Sequence, residues 1–132
     1  MQKGVQTLEM NKNNSMYSQI ILDYYNNPPN KEKIEKPTLS ATEVNTSCGD
    51  QIEIQLKIDN KKKITQAKFT GTGCIISQAS ASMLLEYIEN KSLKEVKKLT
   101  EEKALQLIGI KLTPIRMKCA LLGWKTLKKA IG

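Results

Sequence analysis

Hydrophobic and polar positions change their period twice along this chain. Over residues 16–26 the apolar side chains Ile20, Ile21, Tyr24 and Tyr25 recur at helix spacing, and Ser15 stands where a cap would. Asn26-Asn27-Pro28-Pro29 ends that helix, because a residue preceding proline is pushed out of the helical region. Residues 31–37 are charged, end in Pro37, and read as a connector. From residue 38 to residue 72 the period is two. Ile52, Ile54, Leu56 and Ile58 alternate with Glu53, Gln55, Lys57 and Asp59, which predicts a strand with one buried and one wet face. A polar turn over residues 59–62 leads into a strand over residues 64–70 with Ala67 and Phe69 on one face, and a further strand is expected over Leu39–Asn45. Such short connections hold no crossover helix, so the three strands should form an antiparallel meander.

The helical period then returns. Residues 75–90 offer Ile75, Ile76, Ala79, Met83, Leu84 and Tyr87 to a core, while Ser77, Ser80 and Ser82 keep the segment slim for close packing. Ser92 caps a short helix reaching Leu99, and Thr100-Glu101-Glu102-Lys103 starts another that Gly109 closes after Ile108. Thr113-Pro114 is a cap followed by proline at the first helical position. The last helix runs from there towards Ile131 with Ile115, Cys119, Leu122 and Trp124 among its apolar residues. The fold class expected is α+β, a three-stranded antiparallel sheet covered on one face by several helices.

A chain of 132 residues is most simply one domain, here residues 16–132 behind a flexible tail of residues 1–15. Three cysteines, an odd number, and no apolar leader argue against a secreted disulfide framework. No run approaches the roughly 18 apolar residues of a membrane span. A reducing cytoplasm is the expected location, with a monomer as the simplest state. The formal charge of +8 comes almost wholly from lysine, Arg116 being the only arginine. Those lysines are dispersed and Phe69 is the only phenylalanine, so the basic groove and aromatic platform of a nucleic-acid binder are missing.

The cysteines carry the chemistry. Cys48 lies in the turn-forming run Asn45-Thr46-Ser47-Cys48-Gly49-Asp50. Cys74 closes Gly71-Thr72-Gly73-Cys74 just before a helix, whose N-terminus favours an anion. Cys119 follows Arg116-Met117-Lys118, two cations that favour a thiolate. In a meander the first and third strands end at one edge of the sheet, so Cys48 and Cys74 belong to that edge, and the last helix need only begin there to bring Cys119 within range. Three thiolates and the carboxylate of Asp50 suit Zn²⁺ or an iron centre. The chain has no histidine, so any fourth protein ligand is Asp50 or, at the expense of deprotonation, Lys118; solvent or a partner group is the alternative. Gly71 and Gly73 allow unusual backbone and close approach to the sulfur of Cys74. Taken singly, each feature also has a plainer reading, as a strand-to-helix turn, a core cysteine or a loop cap.

Together these stretches resemble the U-type iron–sulfur cluster scaffold proteins, namely IscU, SufU and the N-terminal domain of NifU. The resemblance rests on Asn45 to Asp50, on Ala67-Lys68-Phe69-Thr70-Gly71-Thr72-Gly73-Cys74-Ile75-Ile76-Ser77-Gln78-Ala79-Ser80-Ala81-Ser82-Met83, and on Arg116-Met117-Lys118-Cys119-Ala120-Leu121-Leu122-Gly123-Trp124. It implies a non-enzymatic carrier that accepts persulfide sulfur from a cysteine desulfurase, binds iron or a nascent [2Fe-2S] cluster, and passes it to apo iron–sulfur acceptor proteins. Cys48, Cys74, Cys119 and Asp50 would be the ligands, with Cys48 or Cys119 receiving the persulfide. Lys118 stands where the IscU branch has histidine, as in SufU, while the short spacing from Cys74 to Cys119 is IscU-like. The alternative implied is a zinc-dependent, SufU-like sulfurtransferase that relays persulfide without building a cluster.

Overall fold

The computed structural model describes residues 12–47 and 49–132, with side chains from residue 19 onward. In chain order the elements are α1 (Lys12–Asn26), β1 (Leu39–Asn45), β2 (Asp50–Ile58), β3 (Ile64–Thr72), α2 (Ile75–Ile88), α3 (Leu93–Lys97), α4 (Glu101–Ile108) and α5 (Pro114–Ile131). The strands pair in the order β1-β2-β3, all antiparallel. Asn45 faces Asp50 across the first pair and Gln51 faces Thr72 across the second, so β1 and β3 finish at the same end of the sheet. The expected meander and α+β class are therefore observed.

One sheet face is the core. Ile52, Ile54 and Leu56 of β2 and Ile64, Ala67 and Phe69 of β3 are fully buried and pack with Ala81, Leu84, Leu85 and Ile88 of α2 and Leu122, Leu127 and Ile131 of α5. Each large side chain buried in this way contributes about 1.5–3 kcal/mol. Helix α2 lies in the middle of the fold, in contact with β3, α5, α1 and α4, and is buried around most of its circumference. Its small residues make that possible. A Cβ added to Gly123 of α5 would come 3.2 Å from the Cα of Ala81, so the two backbones cross almost in contact. On the outer side of α2, the Tyr24 hydroxyl of α1 donates to Glu86. That carboxylate and partial burial raise the phenol above its usual pKa.

The helix signals are satisfied as the sequence implies. Ser92 and Glu95 form a capping box on α3, Thr100 accepts from the Lys103 N–H, and Thr113 accepts from the Arg116 N–H with Pro114 at the head of α5. Gly109 closes α4 at a φ of 74°. Three expectations need correction. Helix α1 begins at Lys12, so Ser15 lies inside it; residues 12–14 contain no proline or glycine to stop propagation. Of the tail expected over residues 1–15, residues 1–11 lie outside the described residues. Ile75 and Tyr87, expected on the core face of α2, are 38 % and 36 % exposed, and Ile115, among the apolar residues of α5, is 71 % exposed. Ile75 and Ile115 sit in the first turns of their helices, and Tyr87 is on a flank of α2 where Lys91 and Lys103 stack on its ring. Gln55, expected on the wet face, is 5 % exposed, because the Ile34 N–H donates to its Oε1 at 2.7 Å. The connector after α1 thus covers part of the second sheet face. It also closes the free edge of β3, with Phe69 and Glu32 N–H groups bonded to Asn30 and Phe69 carbonyls and the Asn30 amide donating to Ala67.

Candidate metal centre

The end of the sheet where β1 and β3 finish carries the candidate site. Asp50 is the first residue of β2, Cys74 follows β3 by two residues, and α5, packed against α2 and β1, brings Cys119 alongside in its second turn. One donor atom each from Asp50, Cys74 and Cys119 lies within 4.8 Å of the others. Sulfurs sharing a tetrahedral Zn²⁺ at about 2.3 Å would be roughly 3.8 Å apart, so small side-chain rotations suffice to close the set on one ion.

Each group is held by its local backbone. Cys74 is the N-cap of α2, and its sulfur accepts the Ser77 N–H at 3.5 Å. The Ser77 hydroxyl donates back to the Cys74 carbonyl at 3.0 Å. Asp50, 3 % exposed, reaches across the turn: its Oδ1 accepts the Cys74 N–H at 3.1 Å and its Oδ2 accepts the Cys74 thiol at 3.3 Å. The carboxylate can approach because Gly73, at a φ of 141°, has no side chain where a Cβ would overlap it. Gly71 likewise leaves room for the Gln51 carbonyl across the strand pair. Cys119 is 4 % exposed within a small apolar cluster that includes Ile21, Ile76, Ala79 and Ala120. Its surroundings are those of a core cysteine, yet its sulfur belongs to the donor group formed with Cys74 and Asp50.

Cys48 lies outside the described residues. Its neighbours form a tight turn in which the Gly49 N–H donates to the Asn45 carbonyl at 2.7 Å and the Ser47 N–H to Asn45 Oδ1 at 3.1 Å. Arg116 and Lys118 are exposed on α5. Sequence patterning marks Ser77 only as a slim packing residue and does not single out Gln78. Gln78 is 2 % exposed, and neither its Nε2 nor its Oε1 has a hydrogen-bond partner among the described residues; the same is true of the Oγ of the fully buried Ser82. Each such group costs about 1–3 kcal/mol relative to a paired one. Their signal in the sequence is their spacing from Cys74, at one and two helical turns.

No described helix is long and apolar enough to cross a membrane. The NifU-like N-terminal domain family matches residues 16–132. The iron–sulfur cluster assembly scaffold protein IscU of Thermotoga maritima is 40 % identical, covering 88 % of this chain and 92 % of its own length. The zinc-dependent sulfurtransferase SufU of Bacillus subtilis is 33 % identical, with 89 % and 90 % covered. The crystal structure of a SUF-system scaffold protein from Fervidobacterium islandicum superposes with a TM-score of 0.73 at 32 % identity, covering 89 % of this chain and 98 % of that one. With the family match spanning nearly the whole described chain and a carboxylate and two thiols gathered at its sheet end, the protein belongs to the NifU-like N-terminal domain family of iron–sulfur cluster assembly scaffolds.

Proposed function

We propose that this chain is a scaffold that receives sulfur as persulfide from a cysteine desulfurase, holds iron or a nascent [2Fe-2S] cluster on Cys48, Cys74, Cys119 and Asp50, and releases it to apo acceptor proteins. The observation that carries the reading is the convergence of the Asp50, Cys74 and Cys119 donors within 4.8 Å at one end of the sheet. A mixed set of thiolates and one carboxylate is suited to a carrier, because an oxygen donor is a poorer ligand than sulfur for a soft centre and gives way first. The apolar residues beside the ligands, Ile75, Ile115 and Met117, are exposed and give a docking partner something to cover.

Sulfur transfer requires a thiolate to attack the outer sulfur of the desulfurase persulfide; the new S–S bond forms on the scaffold as the desulfurase thiolate leaves. We assign that attack to Cys48. Cys119 is 4 % exposed and Cys74 is engaged by Asp50 and Ser77, whereas the Asn45–Gly49 turn surrounding Cys48 stands at the sheet end. Lys118 and Arg116, both exposed, add positive charge on the α5 side.

Anaerobic incubation with a cysteine desulfurase, cysteine and ferrous iron, followed by addition of an apo-ferredoxin, tests the whole reading. The expected result is a cluster on this protein that moves to the ferredoxin, and persulfide labelling that disappears in Cys48→Ser. Persulfide relay without any cluster would leave the zinc-dependent sulfurtransferase reading, which the same donor set also suits. Asp50→Ala is expected to slow release of the cargo to a chelator, because the weakly held oxygen donor is the position at which an entering ligand first displaces the set. It should also cost about 1 kcal/mol of stability through loss of the bond to the Cys74 N–H. Stopped-flow chelator traces and a melting curve give the two numbers, and unchanged release would remove Asp50 from the ligand set.

A further inference from the structure

We propose that Gln78 is a positioning residue for the metal centre: on metal binding its side-chain amide donates a hydrogen bond to the sulfur of Cys74. The inference rests on the metal-site reading above and deepens it. Gln78 follows the N-cap Cys74 by four residues, and its backbone N–H donates to the Cys74 carbonyl at 3.2 Å, which stacks the two residues across the first turn of α2. Side chains on a helix lean towards its N-terminus, which carries the Gln78 amide back towards the turn of Cys74. A residue 2 % exposed with both amide atoms unpaired among the described residues is unusual in a packed protein, where buried polar groups almost always find partners. A methionine would fill the same space without that penalty.

Metal binding supplies the missing partner. Without metal, the Cys74 thiol spends its proton on Asp50 Oδ2 and its sulfur accepts the Ser77 N–H. Binding a metal removes the thiol proton and turns the group into a stronger acceptor. With Asp50 Oδ2 among the groups that would hold the ion, the sulfur would be open to a second N–H. Ser77 supplies the first from the helix backbone; Gln78 holds two unspent donors on the adjoining stripe. Donors to ligating atoms orient them and commonly change metal affinity 10–100-fold.

Ser82 makes the control. It is fully buried and equally unpaired, but one further turn from the sulfur, so comparing it with Gln78 separates proximity to the centre from the general effect of an unpaired buried group. Gln78→Met, Ser82→Ala and the unaltered full chain would be titrated with Zn²⁺ and Co²⁺ and melted without metal. Gln78→Met should melt at or above the parent temperature, bind Zn²⁺ about tenfold more weakly, and shift the thiolate-to-Co²⁺ absorption bands. Ser82→Ala should bind as the parent does. Parent-like affinity and bands in Gln78→Met, or equal weakening in both variants, would overturn the proposal. Should Gln78→Met fail to fold, the parent decides: the Gln78 side-chain amide resonances must move on cadmium loading, and resonances that stay in place refute it. A parent chain that binds neither Zn²⁺ nor Co²⁺ would sink the metal-site reading itself, an outcome distinct from a normal site indifferent to Gln78.

Discussion

Serine at position 119 is expected to leave the protein folded and unable to keep its cargo. The substitution changes one atom and almost no volume. Cys119 is 4 % exposed among Ile21, Ile76, Ala79 and Ala120, so a hydroxyl there costs about 1–2 kcal/mol of stability. Chemically the change is much larger, because a hydroxyl does not ionise near neutral pH and so cannot replace a thiolate ligand. If the 10–16 kcal/mol typical of four-ligand zinc sites is shared evenly, one ligand is worth about 3 kcal/mol, or more than a hundredfold in affinity. Equilibrium dialysis with Zn²⁺ and a melting curve on the same samples separate the two effects. Affinity within a few-fold of the parent would return Cys119 to an ordinary place in the core.

The contrast between those numbers explains what could be read from the sequence. The alternation of Ile52, Ile54 and Leu56 dictates a one-faced strand, and two short connections then leave little choice but a meander ending β1 and β3 together. From that topology, the meeting of Asp50 with Cys74 follows. Capping chemistry at Ser92, Thr100 and Thr113 is local and was equally legible. What periodicity does not report is what a non-periodic segment covers. Gln55 has the pattern of an exposed residue and is buried because Ile34 crosses it. Ile75 and Ile115 have the pattern of core residues and are exposed because their helices begin at the rim of the sheet. Gln78 escaped notice for a related reason: an unpaired buried amide is invisible in a one-dimensional pattern, which records residue types but not whether their hydrogen bonds are made. The neighbourhood of Asp50, Cys74 and Cys119 was legible through topology, the supports around it only through packing.

Alanine at Gly73 should damage both the fold and the site, and for one reason. At a φ of 141° an L-residue is strained, and the added Cβ would overlap the Asp50 carboxylate, with Asp50 Cγ 2.6 Å and Cβ 2.8 Å away. Backbone strain of about 1–3 kcal/mol and overpacking of similar size together approach 3–5 kcal/mol, a large part of the 5–15 kcal/mol that holds a typical domain together. Relief of the overlap requires Asp50 to swing away, which breaks its bond to the Cys74 N–H and moves its second oxygen from the sulfur. Release of the cargo to a chelator should therefore slow, as in Asp50→Ala, even in the folded fraction. Gly71→Ala separates the two consequences: its Cβ meets the Gln51 carbonyl and Ile52 Cδ1, so it strains the strand pair without touching the carboxylate. Gly109→Ala, with open space around it, carries only the strain of its φ of 74°. Combining Gly73→Ala with Asp50→Ala removes the overlap and should recover about half the lost stability while leaving the metal site impaired, a coupling that a double-mutant cycle measures directly. Full additivity of the two substitutions would mean that Gly73 serves only its own backbone and that the space beside Asp50 is incidental.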